Sequence, residues 1–526
     1  LRHSFEGIVK EQVMEQFFRL PDSDDLNRYD NNPAPLDQQF GIRPLGTLKP
    51  LSSHDITSSI AGIGMETLDR DTYDPTPLYD PLCAAGCKWV RLQTGWLKCE
   101  KTAGVYDFAW LDAIVDNLLQ RGIQPWFNTG FGHPIHTPVP AYEELFRQSG
   151  NSPANGMVRG YVGEVPLYHG PRAMAAWKNY LAAMAEHFSD RVRHYEIWNE
   201  PDVHRVFWRH LGQPVHADLK EELRRIRIAE DYVDFVKESA DALRKTLPQV
   251  KVIATISHPV SDHVRVAGIR RLADWVDIIS YHNYANTPEA ENCDKVAFFR
   301  SHLSVPGKTT EFWQGEAGRA THPHHSGCYI TSEYVQAKYI LRRLLCDFQT
   351  GMKVSSIFTA SDLRSYYPDG SDQEFGIFKA DPVRPKLGFF AFQAMATLLA
   401  EAESTSRMMI SGNLINGNMA GSRLNYQFNS VAFLRHEVPV FALYLPESVE
   451  ISVPPIRCEV KISGELGYRF REPVLIDPLR HKVYAIGREI VKYPDWAYGS
   501  AIIAPYPVTD YPIFMTERSA IELERA

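Results

Sequence analysis

His194-Tyr195-Glu196-Ile197-Trp198-Asn199-Glu200-Pro201 decides how the rest of the chain is read. It opens as a short run of buried-strand type, and Pro201 lacks the N–H that a continuing ladder would need. An amide and a carboxylate, Asn199 and Glu200, therefore stand where a buried strand gives way to a loop. A second stretch, Trp313-Gln314-Gly315-Glu316-Ala317-Gly318, has the same character and closes on Glu316.

Working outward, short apolar strands alternate with amphipathic helices from about residue 55 to 400. The predicted strands are Ile60–Glu66, Trp89–Thr94, Gln124–Thr129, His194–Asn199, Val252–Ser257, Val276–Tyr281, Phe312–Glu316 and Ser356–Thr359. A helix is predicted over Ala109–Arg121, where Trp110, Leu111, Ile114, Val115, Leu118 and Leu119 recur at helical spacing, Asp107 suits a cap and Gly122 a stop. Pro171 opens another, and Tyr232–Leu247, Ser332–Gln349 and Leu387–Ala400 have the same period. Eight such units fit a (β/α)8 TIM barrel. An open doubly wound sheet is the competitor, but no glycine-rich dinucleotide fingerprint follows the first strand.

After about residue 404 the texture changes to short segments with Gly, Pro and Asn between them: Met408–Ile410, Leu424–Phe428, Val431–Leu434, Val440–Leu445, Val449–Val453, Cys458–Ser463 and Val483–Ile486. These predict an additional antiparallel β-sandwich. The expected organisation is an N-terminal segment 1–54 that packs on barrel or sandwich, a barrel at 55–403 and the sandwich at 404–526. The N-terminal segment is polar, with helical period only over Val13–Phe18.

The 526 residues are 44% apolar and 23% charged, with a net charge of −8, so nothing basic points to nucleic acid. No run reaches the ~18 apolar residues of a membrane span. The seven Cys have no paired spacing, which predicts free thiols rather than a disulfide framework. No metal and no cofactor are expected. Thr321-His322-Pro323-His324-His325 invites a metal reading, but no carboxylate stands at helical spacing beside it. No signal-peptide pattern opens the chain, which suggests the cytoplasm, although the chain starts at Leu1 and a trimmed leader would mean periplasm or secretion.

Barrel chemistry sits at the C-terminal ends of strands. Glu200 and Glu316 fall at the exits of strands four and seven. Two carboxylates about 5–5.5 Å apart are what hydrolysis of a glycosidic bond with retained configuration requires. Glu316 would be the ionised nucleophile and Glu200 the protonated acid, since two such close groups cannot ionise together. Arg91 is placed to hold the nucleophile ionised, Tyr284 to donate to it, and Asn199 to bind the neighbouring sugar hydroxyl. His282 shares a face with Tyr284 if the strand persists. Asn128, His133, Trp96, His258, Asp362, Glu66 and Trp313 complete the pool for substrate contacts. Each has a plainer reading: loop histidines for His133 and His258, packing for Trp96 and Trp313. Glu311, in Thr310-Glu311-Phe312, rivals Glu316 as nucleophile. Five residues apart on an extended strand, the two face opposite sides, and only Glu316 lies at the exit.

The Asn199-Glu200 pair and the Glu ending strand seven resemble the clan A retaining glycoside hydrolases with (β/α)8 barrels. Trp198-Asn199-Glu200-Pro201 and Ser280-Tyr281-His282-Asn283-Tyr284 are most similar to family 39, which contains β-xylosidases and α-L-iduronidases. That resemblance implies a β-sandwich beside the barrel, Glu200 as acid/base, Glu316 as nucleophile, and Arg91, Asn199, His282 and Tyr284 in support. It also implies a departure. Family 39 usually reads Thr-Glu-Phe with that Glu as nucleophile, which favours Glu311, whereas Gly315-Glu316-Ala317-Gly318 looks like the Glu-x-Gly version found elsewhere in the clan. The expectation is a retaining hydrolase acting on ends of oligosaccharide or polysaccharide chains. An endo-glycanase of the same clan and a non-catalytic carbohydrate binder are the alternatives. Insertions at Pro134–Gly170 and Asp202–Glu222 would wall the barrel mouth or form a contact between copies in a homo-oligomer. A basic residue near sugar carbon five would favour a uronic acid, with Arg205, Arg209, Arg319 and Lys379 as candidates.

Overall fold

The computed structural model describes residues 35–149, 156–257, 269–289, 292–322, 331–367, 370–415, 428–464, 468–495 and 500–524, main chain only at 149 and 292–295. Eight parallel strands close into a barrel: Ala61–Gly64, Trp89–Gln93, Gln124–Thr129, His194–Ile197, Lys251–Ile256, Ile278–His282, Glu311–Ala317 and Ser355–Ile357. They are the eight segments predicted, with ends moved by at most two residues. The fourth is shorter than expected because the chain leaves it through left-handed backbone at Trp198, φ +66°. The seventh carries a bulge between Gln314 and Glu316, seen against both neighbouring strands.

The outer helices follow their periodicity. Ala109–Leu119 begins after Asp107, whose Oδ1 accepts the Ala109 N–H at 3.0 Å. Glu333–Gln349 is capped by Ser332, whose hydroxyl oxygen accepts the Val335 N–H at 3.1 Å. The helix expected from Tyr232 begins at Glu221; its first two turns are rich in charge, and their apolar residues Leu223 and Ile226 are exposed or only partly buried. One end of the barrel is plugged by Trp89, Trp126 and Trp313 with Ile253, Ile278 and Val354. Its indole rings meet edge-on or tilted, with centroids 5.2–6.5 Å apart.

Two antiparallel sheets, of eight and four strands, form the sandwich. Phe441 of one stacks on Tyr506 of the other, ring centroids 6.0 Å apart. The strand Arg43–Leu48 pairs with Lys482–Ala485 and so belongs to the larger sheet. Val449–Val453 is not a strand. Val449 is instead buried against Ala317, Val335 and Tyr339 of the barrel, behind the exit of the seventh strand. Among the strands that escaped prediction are Pro473–Asp477, Ala501–Val508 and Ile513–Glu517. The first two contain prolines, which argue against a strand. Val13–Phe18 and residues 424–427 lie outside the described residues. Among the described residues no helix is long and apolar enough to cross a membrane, and Cys83, Cys87, Cys99, Cys346 and Cys458 are free thiols.

Candidate active site

The turn after the fourth strand sets the site. Trp198 and Glu200 both hold positive φ, +66° and +39°, at a cost of about 1–3 kcal/mol each for residues with a Cβ. Three hydrogen bonds impose that shape. Trp198 N–H donates to the Thr129 carbonyl at 3.1 Å, its indole N–H to the Phe207 carbonyl at 2.6 Å, and Asn128 Nδ2 to the Trp198 carbonyl at 2.6 Å. Glu200 is thereby turned into the barrel mouth with its side chain 12% exposed.

Glu316 arrives from the seventh strand through the bulge. Gly315 allows it: a Cβ there would stand 2.0 Å from Ser280 Oγ, closer than atoms approach. The parity that sets Glu311 and Glu316 on opposite faces of a regular strand thus does not apply across 315. Position along the strand separates them instead. Glu311 begins the strand, accepting from the Trp313 indole N–H at 3.1 Å. Glu316 sits near its end, side chain 12% exposed.

Arg91 organises what lies beneath. It is fully buried, and its guanidinium donates to Glu196 at 2.7 and 3.1 Å, to Glu316 Oε2 at 2.6 Å and to Asn199 Oδ1 at 2.8 Å. Tyr284 donates its hydroxyl to the other Glu316 oxygen at 2.5 Å. Both oxygens of Glu316 therefore accept hydrogen bonds, one of them from a guanidinium. Burial opposes ionisation of Glu196, yet Arg91 outweighs it and the pKa falls below the usual range. Sequence reasoning quoted Glu196 and gave it no role. A carboxylate inside a strand facing the barrel axis needs a buried cation, and that was the available signal.

His282 Nδ1 lies 2.7 Å from Glu200 Oε1, and burial lowers the imidazole to a pKa of about 4, so it is neutral. Atoms of Glu200, His282 and Glu316 all fall within 4.8 Å of one another. A cation would fit that spacing geometrically, but the Arg91 guanidinium already supplies positive charge to Glu316.

Glu66 is the third carboxylate near Arg91, Oε1 to Nη1 3.5 Å. Thr359 donates to its Oε2 at 2.9 Å, and Oε1 has no hydrogen-bond partner. Burial and then the charge of Glu316 push its pKa to about 8. Glu66 keeps a proton when folded at pH values where it is ionised when unfolded. The folded state then binds more protons, so this group's contribution to stability is full below about pH 4.5 and is lost as pH rises through about 8. Glu66→Gln is expected to flatten that slope. Urea midpoints at pH 5, 6.5 and 8 should fall less steeply in the variant than in the unaltered protein; parallel slopes would contradict a neutral Glu66.

Four other predicted contacts are placed elsewhere. Trp96 is fully buried, stacked between His136 and Tyr180. His133 is buried beside it, bonded through Nε2 to the Glu100 carbonyl at 2.7 Å. Trp313 belongs to the plug at the closed end. Asp362 is paired with Lys386 at 2.6 Å. Trp96 and Trp313 are packing residues, as their plainer reading anticipates, whereas His133 is buried rather than an exposed loop histidine. Asn128 acts through the Trp198 carbonyl, beneath the turn. His258, His324 and His325 lie outside the described residues. Of the basic candidates, Arg319 is bound to Asn286 and Glu450, Arg209 to the Gly212 carbonyl, and Arg205 is exposed. Lys379 is partly exposed on the strand Phe378–Ala380.

A family model for beta-galactosidases of glycoside hydrolase family 42 matches residues 79–231, the stretch that carries Arg91, Asn199 and Glu200. Among solved structures, a family 39 glycoside hydrolase from Bacteroides cellulosilyticus WH2 is similar with a TM-score of 0.56 and 15% identity, over 87% of this chain and 80% of that one. A glucosidase from Croceicoccus marinus gives 0.53 and 13%, over 90% and 97%. A family 39 beta-xylosidase from Caulobacter crescentus gives 0.50 and 16%, over 82% and 84%. At such identities the likeness is one of fold: a closed parallel barrel with an additional β-sandwich. No curated protein sequence matches the chain closely enough to count as a relative.

Proposed function

We propose that this glycoside hydrolase, of clan A and most like family 39, cleaves its substrate with retention by double displacement and works on chain ends. The observation that carries retention is the closeness of Glu200 and Glu316, with oxygens inside 4.8 Å. Inverting enzymes separate their carboxyls by about 6.5–9.5 Å to admit a water.

Glu316, oriented by Arg91 and Tyr284, attacks the anomeric carbon. Glu200 gives its proton to the glycosidic oxygen, the bond from that oxygen to the anomeric carbon breaks, and the alcohol leaves. Glu200, now a carboxylate, takes a proton from water as the water oxygen attacks the same carbon, and Glu316 departs. A neutral His282 with its proton on Nδ1 donates to Glu200 Oε1 and leaves Oε2 to carry the acid proton toward the leaving group. Asn199 gives its amide oxygen to Arg91, which leaves its NH2 group to meet the hydroxyl beside the reacting carbon.

Action at chain ends is supported by the joining of two segments that follow the third and fourth barrel strands. The insertion 134–170 and the segment 202–222 are laced together by the Arg209 N–H to Gly163 carbonyl at 2.7 Å and the Val165 N–H to Arg209 carbonyl at 3.1 Å. A panel of aryl glycosides, followed by proton NMR of the first product formed, tests retention. The same anomer as the substrate is expected, and the opposite anomer would refute double displacement. Release of only short products from a polymer is expected, and mid-chain cuts would refute action at ends.

A further inference from the structure

Arg159 is a half-buried guanidinium with no ion-pair partner among the described residues. It makes no ion pair or hydrogen bond among the described residues, and its Nε is shut off from solvent without an acceptor. Burial and then the charge of Arg70 lower its pKa, so the strongest charge it feels is a like one. Arg70 is itself buried. It touches Asp69 at 3.3 Å, donates to Gln93 Oε1 at the exit of the second barrel strand, and lies 5.8 Å over the ring of Phe131. The remaining acid nearby, Asp71, is occupied by Lys98 at 2.6 Å. Two guanidinium groups thus share one committed carboxylate, Asp69. Gly160 leaves room for the Arg70 stem, and Gly156 lies near Arg159 and Tyr366. A Cβ at Gly160 would meet the Arg70 stem at 2.8 Å, and one at Gly156 would stand 3.8 Å from both Arg159 Nη2 and the Tyr366 carbonyl.

The pair borders the candidate active site. Phe131, beneath Arg70, meets Trp198 edge-on at 5.5 Å. The Tyr366 hydroxyl feels the charges of Arg70, Glu316 and Glu200. Tyr366 and Tyr284 pack on the same apolar cluster of Phe358, Leu363 and Phe375. An uncompensated positive charge held partly out of water is costly unless an anion joins it, and a planar fork of donors fits a carboxylate or a sulfate.

We propose that Arg159 and Arg70 form an anion subsite on the wall of the catalytic mouth, and that the substrate is an acidic glycan whose carboxylate or sulfate ester docks there. The substrate class rests on the hydrolase reading above; the subsite itself does not.

The test uses the full chain with matched aryl glycosides: β-glucoside against β-glucuronide, β-galactoside against β-galacturonide, and galactoside against its 6-sulfate. Acidic members are expected to be preferred, uronides if the anion is a carboxylate and the 6-sulfate if it is a sulfate. Arg159→Gln should lower the acidic-to-neutral ratio of kcat/KM about tenfold or more, the loss expected for a charge-assisted hydrogen bond, and Arg159→Lys should restore part of it. Calorimetric titration of glucuronate, galacturonate and inorganic sulfate gives a second readout independent of turnover. Binding of one of these anions that is weakened by Arg159→Gln and by added salt supports the subsite even if no glycoside is hydrolysed, in which case only the hydrolase reading fails. Preference for neutral sugars with a ratio unmoved by Arg159→Gln, or anion binding indifferent to that substitution, overturns the proposal.

Discussion

Glu316→Gln is expected to lower kcat by about 10⁴-fold or more, the order of loss when an enzyme is deprived of its nucleophile, while Glu311→Gln leaves turnover within a few-fold of the unaltered protein. The contrast follows from where the two carboxyls stand. Glu316 has Arg91 on one oxygen and Tyr284 on the other, with Glu200 and His282 across from it. Glu311 opens the strand at the other end and is held by the Trp313 indole within the plugged end of the barrel. Glu200→Gln is expected to behave differently again. Its loss should be about 10²–10⁴-fold on substrates with poor leaving groups, small for activated aryl glycosides, and relieved by azide, which needs no base to attack the glycosyl intermediate. Equal losses for Glu311→Gln and Glu316→Gln, or full activity in Glu316→Gln, would remove the assignment of the nucleophile.

Arg91→Met should damage folding as well as catalysis. Breaking a buried ion pair from one side costs about 3–5 kcal/mol, because the partner charge is stranded. Here the stranded groups are Glu196, fully buried, and Glu316, nearly so. Burial alone would lower the guanidinium pKa, yet Glu196 and Glu316 raise it above its ordinary value, so charge attraction dominates at this centre. A large fall in the urea midpoint is therefore expected for Arg91→Met. Adding Glu196→Gln should recover much of the stability and none of the activity, since Glu316 still lacks its cation. Unchanged stability in Arg91→Met would mean that the cluster is not the buried charge centre described here.

The barrel was legible because short apolar runs alternate with helices, several of clear period, and because Asn199-Glu200 and Glu316 terminate two of those runs. The sandwich was less so. Pro473, Pro505 and Pro507 lie inside strands there, and proline normally argues against one. Within the site, Arg91 reaches Glu316 from inside the second strand, Tyr284 and His282 reach Glu316 and Glu200 from the end of the sixth, and Asn199, past the end of the fourth, is held by Arg91. Trp96 and His133 also follow strand ends, but they fold back into a cluster with Tyr180 and Glu100. A strand end fixes the layer of the barrel, and the loop that follows fixes the direction. For the same reason Arg70 and Arg159 went unread. Neither is on a barrel strand, and only the approach of the insertion 134–170 to the loop after the first strand brings them together.

Trapping with an activated 2-fluoro glycoside, followed by sequencing of the labelled peptide, tests the central claim most directly. A covalent sugar on Glu316, formed with a burst and released slowly by water or an added alcohol, is the predicted result. A label on Glu311 would contradict the assignment of the attacking residue. No covalent species from a sugar that the enzyme otherwise hydrolyses, with the product of opposite configuration, would contradict double displacement itself.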